Sequence, residues 1–344
     1  MESNTSRNKY PWIDVAKSIA IFLVVWGHFQ NYGTFRGFQK LIYSFHIPLF
    51  LILSGFLYTY KEGVPLGSFV RKKFVRTALP ALLWILISQP LFIWVHRGDS
   101  PFEILRAYAA KIYKGAVPIN QPCWFFIALF FIFVVVRLIR IDKYSNVING
   151  AVTLVSFSLG YLFVCLKISD YFMIVKAIVS LGFFMVGYLA RNSRLLSDLL
   201  KNKSLRLLVF LLAFLLWILS ALFLNDKVSL YCADFGYYWI FILSGLTGTY
   251  FLCETVRFIC EKVRSKEKSL LERYPVKSST FIICSHYPIF LMFSLAMKDA
   301  GLVSTWQYNL IFGVFVILLF IAYYPLSKLV SRYAPFLNGE PKKK

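Results

Sequence analysis

The sequence is short of charge. Asp, Glu, Lys and Arg make up 16% of its 344 residues, where soluble domains carry about a quarter, and this shortage excludes an ordinary water-soluble globule. Acidic residues are the scarcer sign: 16 Asp and Glu stand against 38 Lys and Arg, a formal net charge of +22. Such a surplus can mark nucleic-acid binding, but here the cations sit in short clusters between apolar runs, which is how membrane topology is written, and no nucleic-acid partner is expected. Cysteine is sparse. Cys123, Cys165, Cys232, Cys253, Cys260 and Cys284 form no CxxC and no zinc-like spacing, so they read as small packing residues rather than a disulfide framework. GxSxG, HExxH, the P-loop and GxGxxG are all absent. No two intramembrane histidines lie close in sequence and no carboxylate cluster accompanies them, so no metal is expected.

What is present is apolar surface. Hydrophobic residues make up 58% of the chain and aromatics 19%, with a mean hydropathy of +0.64. A spanning helix needs about 20 mostly apolar residues. Ten stretches qualify: 12–31, 41–60, 75–95, 122–140, 147–166, 171–190, 205–224, 236–256, 278–297 and 306–329. The expected fold is therefore all-α, a polytopic membrane protein of about ten transmembrane helices. Lys and Arg concentrate in alternate connections, at Lys61 to Arg76, Arg191 to Arg206 and Arg257 to Lys277, and in the tail from Lys328. This bias puts both termini in the cytoplasm. The first apolar run lacks a small-residue cleavage site and is expected to stay as an anchor. One integral membrane domain, 1–344, ends in a short basic cytoplasmic tail, 334–344. The outer connection 96–121 has an amphipathic middle suited to the membrane surface; the inner one, 257–277, mixes both signs and reads as a solvated helix.

Against this apolar background the ionisable residues stand out, because a charge at mid-membrane costs roughly 2.5–3.5 kcal/mol even on mild insertion scales. "IDVAKSIAIFLVVWGH" carries Asp14, Lys17 and His28. At 100° per residue all three fall on one stripe, with Lys17 and His28 about 16 Å apart in depth. That stripe faces protein or water rather than lipid. Asp14 and Lys17 also suit a simple ion pair near the inner interface. "SFHIPLFLILSGFLY" places His46 beside Pro48, which leaves backbone carbonyls for other partners. "FVRKKFVRTALP" gathers Arg71, Lys72, Lys73 and Arg76, at once a positive-inside anchor and, since Lys73 and Arg76 are one turn apart, a place for phosphates. "QPCWFFIALF" opens the fourth span with Trp124, an interface anchor or a surface for a sugar or acyl group to stack on. "SSTFIICSHYPIF" holds His286. His96, in a loop, is incidental.

These five segments, in this order, resemble the membrane acyltransferase-3 family, and most closely its fucose-4-O-acetylase and polysaccharide O-acetyltransferase branch. The resemblance covers most of the chain. It implies a ten-helix protein of the cell (inner or plasma) membrane, with acetyl-CoA or another acyl-CoA as donor substrate. The acceptor it implies is a hydroxyl of a cell-surface carbohydrate or its lipid-linked precursor, met among membrane lipid. His28 matches the family's essential first-helix histidine. Lys17 takes the place of a basic residue, often Arg, eleven positions earlier. Lys73 and Arg76 match a basic pair, often Arg-x-x-Arg, and Lys at its first position gives up bidentate phosphate binding while keeping the charge. His46 and Trp124 match recurring positions. No esterase-like domain of the kind some members append is seen.

The expectation is thus an O-acyltransferase. Histidine titrates near about 6.5 and is the natural base for a hydroxyl attacking a thioester. His28 takes that role, with Lys17 along the donor's path and Asp14 orienting or balancing Lys17. Arg71, Lys72, Lys73 and Arg76 hold the donor's phosphates. His46, Trp124 and His286 are expected to position the acceptor or stabilise the oxyanion. Direct transfer and an acyl-histidine intermediate both remain open. The alternative is a secondary transporter or flippase for a lipid-linked sugar, its helices broken at Pro48 and Pro288.

Overall fold

The computed structural model describes residues 10–28, 36–193, 201–226, 228–262, 278–302 and 306–340. Among these residues the chain is helical, with no strand beyond one isolated bridge between Ser229 and Asp234. The helices are α1 (Pro11–Gly27), α2 (Arg36–Phe56), α3 (Leu66–Arg76), α4 (Ala78–Ile87), α5 (Gln89–Val95), α6 (Pro101–Tyr113), α7 (Cys123–Leu138), α8 (Asn146–Cys165), α9 (Ile174–Asn192), α10 (Lys203–Ile218), α11 (Tyr238–Lys262), α12 (Ser279–Asp299) and α13 (Trp306–Tyr333).

Each of the ten apolar runs coincides with a helix or a helical run. Eight of these, among the described residues, are long and apolar enough to cross a bilayer by themselves: the protein is a multi-pass membrane protein. The other two are α1, of 17 residues, and α7, of 16. At 1.5 Å per residue each falls a few ångströms short of a core about 30 Å thick. Both are strongly buried by their neighbours, so it is protein rather than lipid that surrounds much of them. The third run is one helical stretch, Leu66–Val95, formed by α3, α4 and α5 with breaks at Thr77 and Ser88.

Packing centres on α2, which lies against α1, α9 and α11. The tightest seam is α2 on α9. A methyl group at Gly55 would collide with the Phe184 carbonyl, and one at Gly187 with that of Ile52. Two glycines on facing helices thus let the backbones touch, the means by which membrane helices associate without a hydrophobic driving force. We expect Gly187→Ala to destabilise the detergent-solubilised protein by about 1–3 kcal/mol, read as a lowered midpoint in a helicity-monitored unfolding titration.

The short connection between α8 and α9 is made by left-handed residues, with φ of 53° at Lys167, 49° at Phe172 and 68° at Met173. The amphipathic outer segment is α6, opened by a capping box between Ser100 and Glu103. Hydrogen bonds from Ser100 hold the Glu103 carboxyl below its usual range. Phe102, Leu105 and Ile112 stay exposed along α6, a face suited to the membrane interface. Of the inner connection, α11 continues through Lys262 with Arg206 and Arg257 bridging Glu254 and Glu261; 263–277 lie outside the described residues. The expected basic tail, 334–344, is partly folded. Pro335–Asn338 form a short 3-10 turn whose Leu337 carbonyl accepts from Trp84 Nε1 at 3.2 Å. Asn338 is buried and accepts from the Phe281 amide at 3.3 Å. Residues 341–344 lie outside the described residues.

Candidate active site

α1 ends at Gly27, and His28 caps it. Its imidazole looks into a cavity of about 450 Å³, also lined by Tyr43, His46, Trp124, Tyr231 and Asp234. The His28 ring centre lies 6.3 Å from that of Tyr43 and 5.3 Å from that of Tyr287, both edge-on. Tyr43 continues the row to His46, 5.1 Å away. Tyr43 and His46 are one turn apart on α2, so they share a face.

His46 and His286 share a local pattern, His-x-Pro inside a helix. Each ring turns back along its helix. His46 Nδ1 donates to the Ile42 carbonyl at 2.8 Å, and His286 Nδ1 to that of Ile282 at 3.1 Å. A carbonyl only accepts, so the proton sits on Nδ1 and Nε2 keeps its lone pair. Pro288 has no N–H to offer the carbonyl four residues back, Cys284. Asn120 supplies the missing donor: its Nδ2 bonds the Cys284 oxygen at 2.8 Å and Ser88 Oγ at 3.1 Å. This cross-link pins the start of α7 to α12 and sets Trp124, buried at 3% exposure, as a wall of the cavity.

Behind that wall lies Lys176, wholly buried. Its ammonium donates to the Gly115 carbonyl at 2.8 Å and to the Tyr231 carbonyl, and forms an ion pair with Asp170, Oδ2 lying 2.9 Å away. The charge also sits 5.3 Å from the Trp124 ring centre and 5.1 Å from that of Tyr231. The Tyr231 hydroxyl donates to the Val117 carbonyl at 3.1 Å; burial pushes its pKa up, so at neutral pH it stays a donor. Lys176 therefore ties the segments around residues 115, 170 and 231 into one outer wall.

The basic block lies elsewhere. Arg71, Lys72 and Arg76 are exposed on α3, and Lys73 is half-buried, its ammonium 3.3 Å from the Phe133 ring centre. Lys72, Arg76 and Lys17 all lie within electrostatic range of Lys73. Among the described residues none of Arg71, Lys72, Lys73 and Arg76 reaches a carboxylate within ion-pair distance. None of the four lines the cavity, nor do Asp14 and Lys17. The structure thus brings His28, His46 and Trp124 together and groups Lys17 with the basic block, while the two groups stay apart along α1. His286 does not line the cavity either; it lies behind His28, ring centres 5.0 Å apart.

Tyr43, Tyr231, Asp234 and Tyr287 escaped the sequence reading. Tyr43 and Tyr287 had a signal, standing one turn from His46 and next to His286. Tyr231 and Asp234 had none, because only the folded loop around the Ser229–Asp234 bridge carries them to the cavity.

The protein is thus a helical membrane protein with imidazoles on an aromatic-walled cavity and, apart from that cavity, a cluster of cations on α3. Residues 10–326 match the acyltransferase domain that defines the acyltransferase-3 family, and the chain belongs to that family. It is 28% identical over 142 residues to Nodulation protein NolL of Mesorhizobium japonicum, an alignment covering 37% of this chain and 35% of that protein. The match thus spans about a third of the relative's length. No solved structure matches the chain.

Proposed function

We propose that this acyltransferase works in a cell membrane, moving an acyl group, acetyl in the simplest case, from acyl-CoA to a hydroxyl of a carbohydrate or lipid-linked sugar. The observation that carries the reading is His28 on the wall of a cavity with tyrosine, tryptophan and carboxylate sides. Aromatic faces and hydrogen-bonding tips are what a sugar needs. With both termini cytoplasmic, the cation cluster on α3 meets the cytosol, where it attracts the phosphates of the donor. The pantetheine arm then spans the depth of about 16 Å between Lys17 and His28. Asp14 balances Lys17 along that path.

At the cavity, His28 takes the proton of the acceptor hydroxyl as its oxygen attacks the thioester carbonyl. The C–O bond forms and the C–S bond breaks. The leaving thiolate takes the proton back from the imidazolium. His46, its Nδ1 occupied by a carbonyl, offers Nε2 to an acceptor hydroxyl, and Trp124 provides a stacking face.

Replacing both Lys73 and Arg76 by Ala should raise the donor KM roughly 100-fold, the loss of two charge-assisted contacts, with the acceptor KM unchanged. The same variant should lose the rise in melting temperature that CoA gives the wild type. A flippase for a lipid-linked sugar predicts no CoA effect on either protein; that result overturns the proposal.

A further inference from the structure

His286 is a group the proposed mechanism leaves without a task. Its ring is wholly buried. Nδ1 is committed to the Ile282 carbonyl, and Nε2 has no hydrogen-bond partner among the described residues. A buried nitrogen lone pair without a partner is unfavourable by the desolvation it has lost. A Phe in the same place would pack as well and avoid that cost, so packing alone gives no reason for a histidine here. The surroundings also hold the ring still. Phe290 packs edge-on, ring centres 5.6 Å apart, and the preceding Ser285 hydroxyl bonds the Tyr323 hydroxyl at 2.9 Å.

The group this lone pair can meet is His28. Their ring centres are 5.0 Å apart, with planes inclined by 50°. An N–H···N hydrogen bond between two imidazoles joins nitrogens about 2.9 Å apart, each a little over 1 Å from its ring centre, so the centres lie roughly 5 Å apart. The separation is already that of a bonded pair, and alignment is a matter of the orientation of the His28 ring at the end of α1.

We infer that His286 is the positioning partner of His28: its buried Nε2 accepts the N–H of the His28 ring, setting which nitrogen of His28 faces the acceptor hydroxyl. The inference rests on the reading of His28 as the base. With its N–H given to His286, His28 presents its other nitrogen, as a lone pair, to the cavity. When that nitrogen takes the hydroxyl proton, the imidazolium is stabilised by the same hydrogen bond, now charge-assisted. The C–O bond forms, the C–S bond breaks, and the proton passes from His28 to the thiolate sulfur. His286 gains and loses no proton. The arrangement uses a neutral imidazole where hydrolytic triads use a carboxylate to orient the base.

The test compares His286→Phe, His286→Gln and His28→Ala as purified full-length proteins, with kcat and both KM values measured on acetyl-CoA and a methyl glycoside acceptor. His286→Phe keeps the ring volume and removes the lone pair; kcat should fall about 100-fold, with both KM values within about 3-fold of wild type. His286→Gln returns an acceptor oxygen near Nε2 and should recover kcat to within about 10-fold. A His286→Phe protein with wild-type kcat, or one that raises only the acceptor KM, overturns the inference. If His286→Phe does not fold, His286→Met takes its place with the same expected values. Failure of the underlying reading looks different: it is a folded His28→Ala protein with undiminished transfer. An inert His28→Ala beside a full-rate His286→Phe removes the pairing alone.

Discussion

His28→Ala should leave an inserted, folded protein that transfers acyl groups 10²- to 10⁴-fold more slowly than wild type, the usual contribution of a general base. The size of the effect follows from the acceptor. A sugar hydroxyl is a poor nucleophile while it holds its proton, and His28 is the imidazole that both lines the cavity and ends the helix reaching toward the cation cluster. His46 lines the same cavity, with the Tyr43 ring in contact with both imidazoles, and its task in this account is to hold the acceptor rather than to take its proton. The loss should fall on kcat, with CoA still stabilising the variant because the cations on α3 are untouched. Release of CoA thiol, followed against helicity by circular dichroism on the same preparation, separates lost chemistry from lost structure.

Lys176→Met should be the most damaging substitution for stability, at about 3–5 kcal/mol, the cost of breaking a buried ion pair from one side. The side chains of Lys176 and Asp170 are 1% and 7% exposed. Removing the ammonium strands the carboxylate and leaves the Gly115 and Tyr231 carbonyls without their donor. The double variant Lys176→Met, Asp170→Asn should recover much of the loss. Asn keeps an oxygen in the place of Asp170 Oδ1, which accepts from the Val175 and Lys176 amides at 2.8 and 3.2 Å, and no buried charge remains. Unfolding titrations of both variants in the same detergent give the comparison: a Lys176→Met midpoint equal to wild type contradicts this account of the outer wall.

The helices were legible because length and apolarity decide what crosses a bilayer, and every apolar run found its helix. Their lengths were less legible. α1 and α7 are shorter than a full span, since buried helices need not match the bilayer as lipid-facing ones must. The histidines were legible for an energetic reason: a buried polar ring in an apolar run needs a partner, and His28, His46 and His286 gather at one end of the bundle as a shared site would have them. The grouping of Lys17 with Lys73, rather than with His28, was not legible, because it depends on which element the fold brings near the first turns of α1. Lys176 is a cation inside the apolar run 171–190. Its three partners lie at positions 115, 170 and 231, separations over which no local pattern runs. Asp234 and Tyr231 reach the cavity through a loop whose fold depends on Asn225, which binds the Phe235 carbonyl and the Tyr237 amide.

The central claim, transfer from a thioester to a sugar hydroxyl at the His28 cavity, is tested most directly by stoichiometry in reconstituted vesicles. The purified protein would be given acetyl-CoA on the side exposing α3, with a neutral glycoside as acceptor, and both products measured together. The account predicts one CoA thiol released for each acyl group gained by the glycoside, seen by mass spectrometry, with both products formed about 10²- to 10⁴-fold more slowly by His28→Ala. Glycoside that crosses the membrane unmodified, with no thiol released, would contradict it.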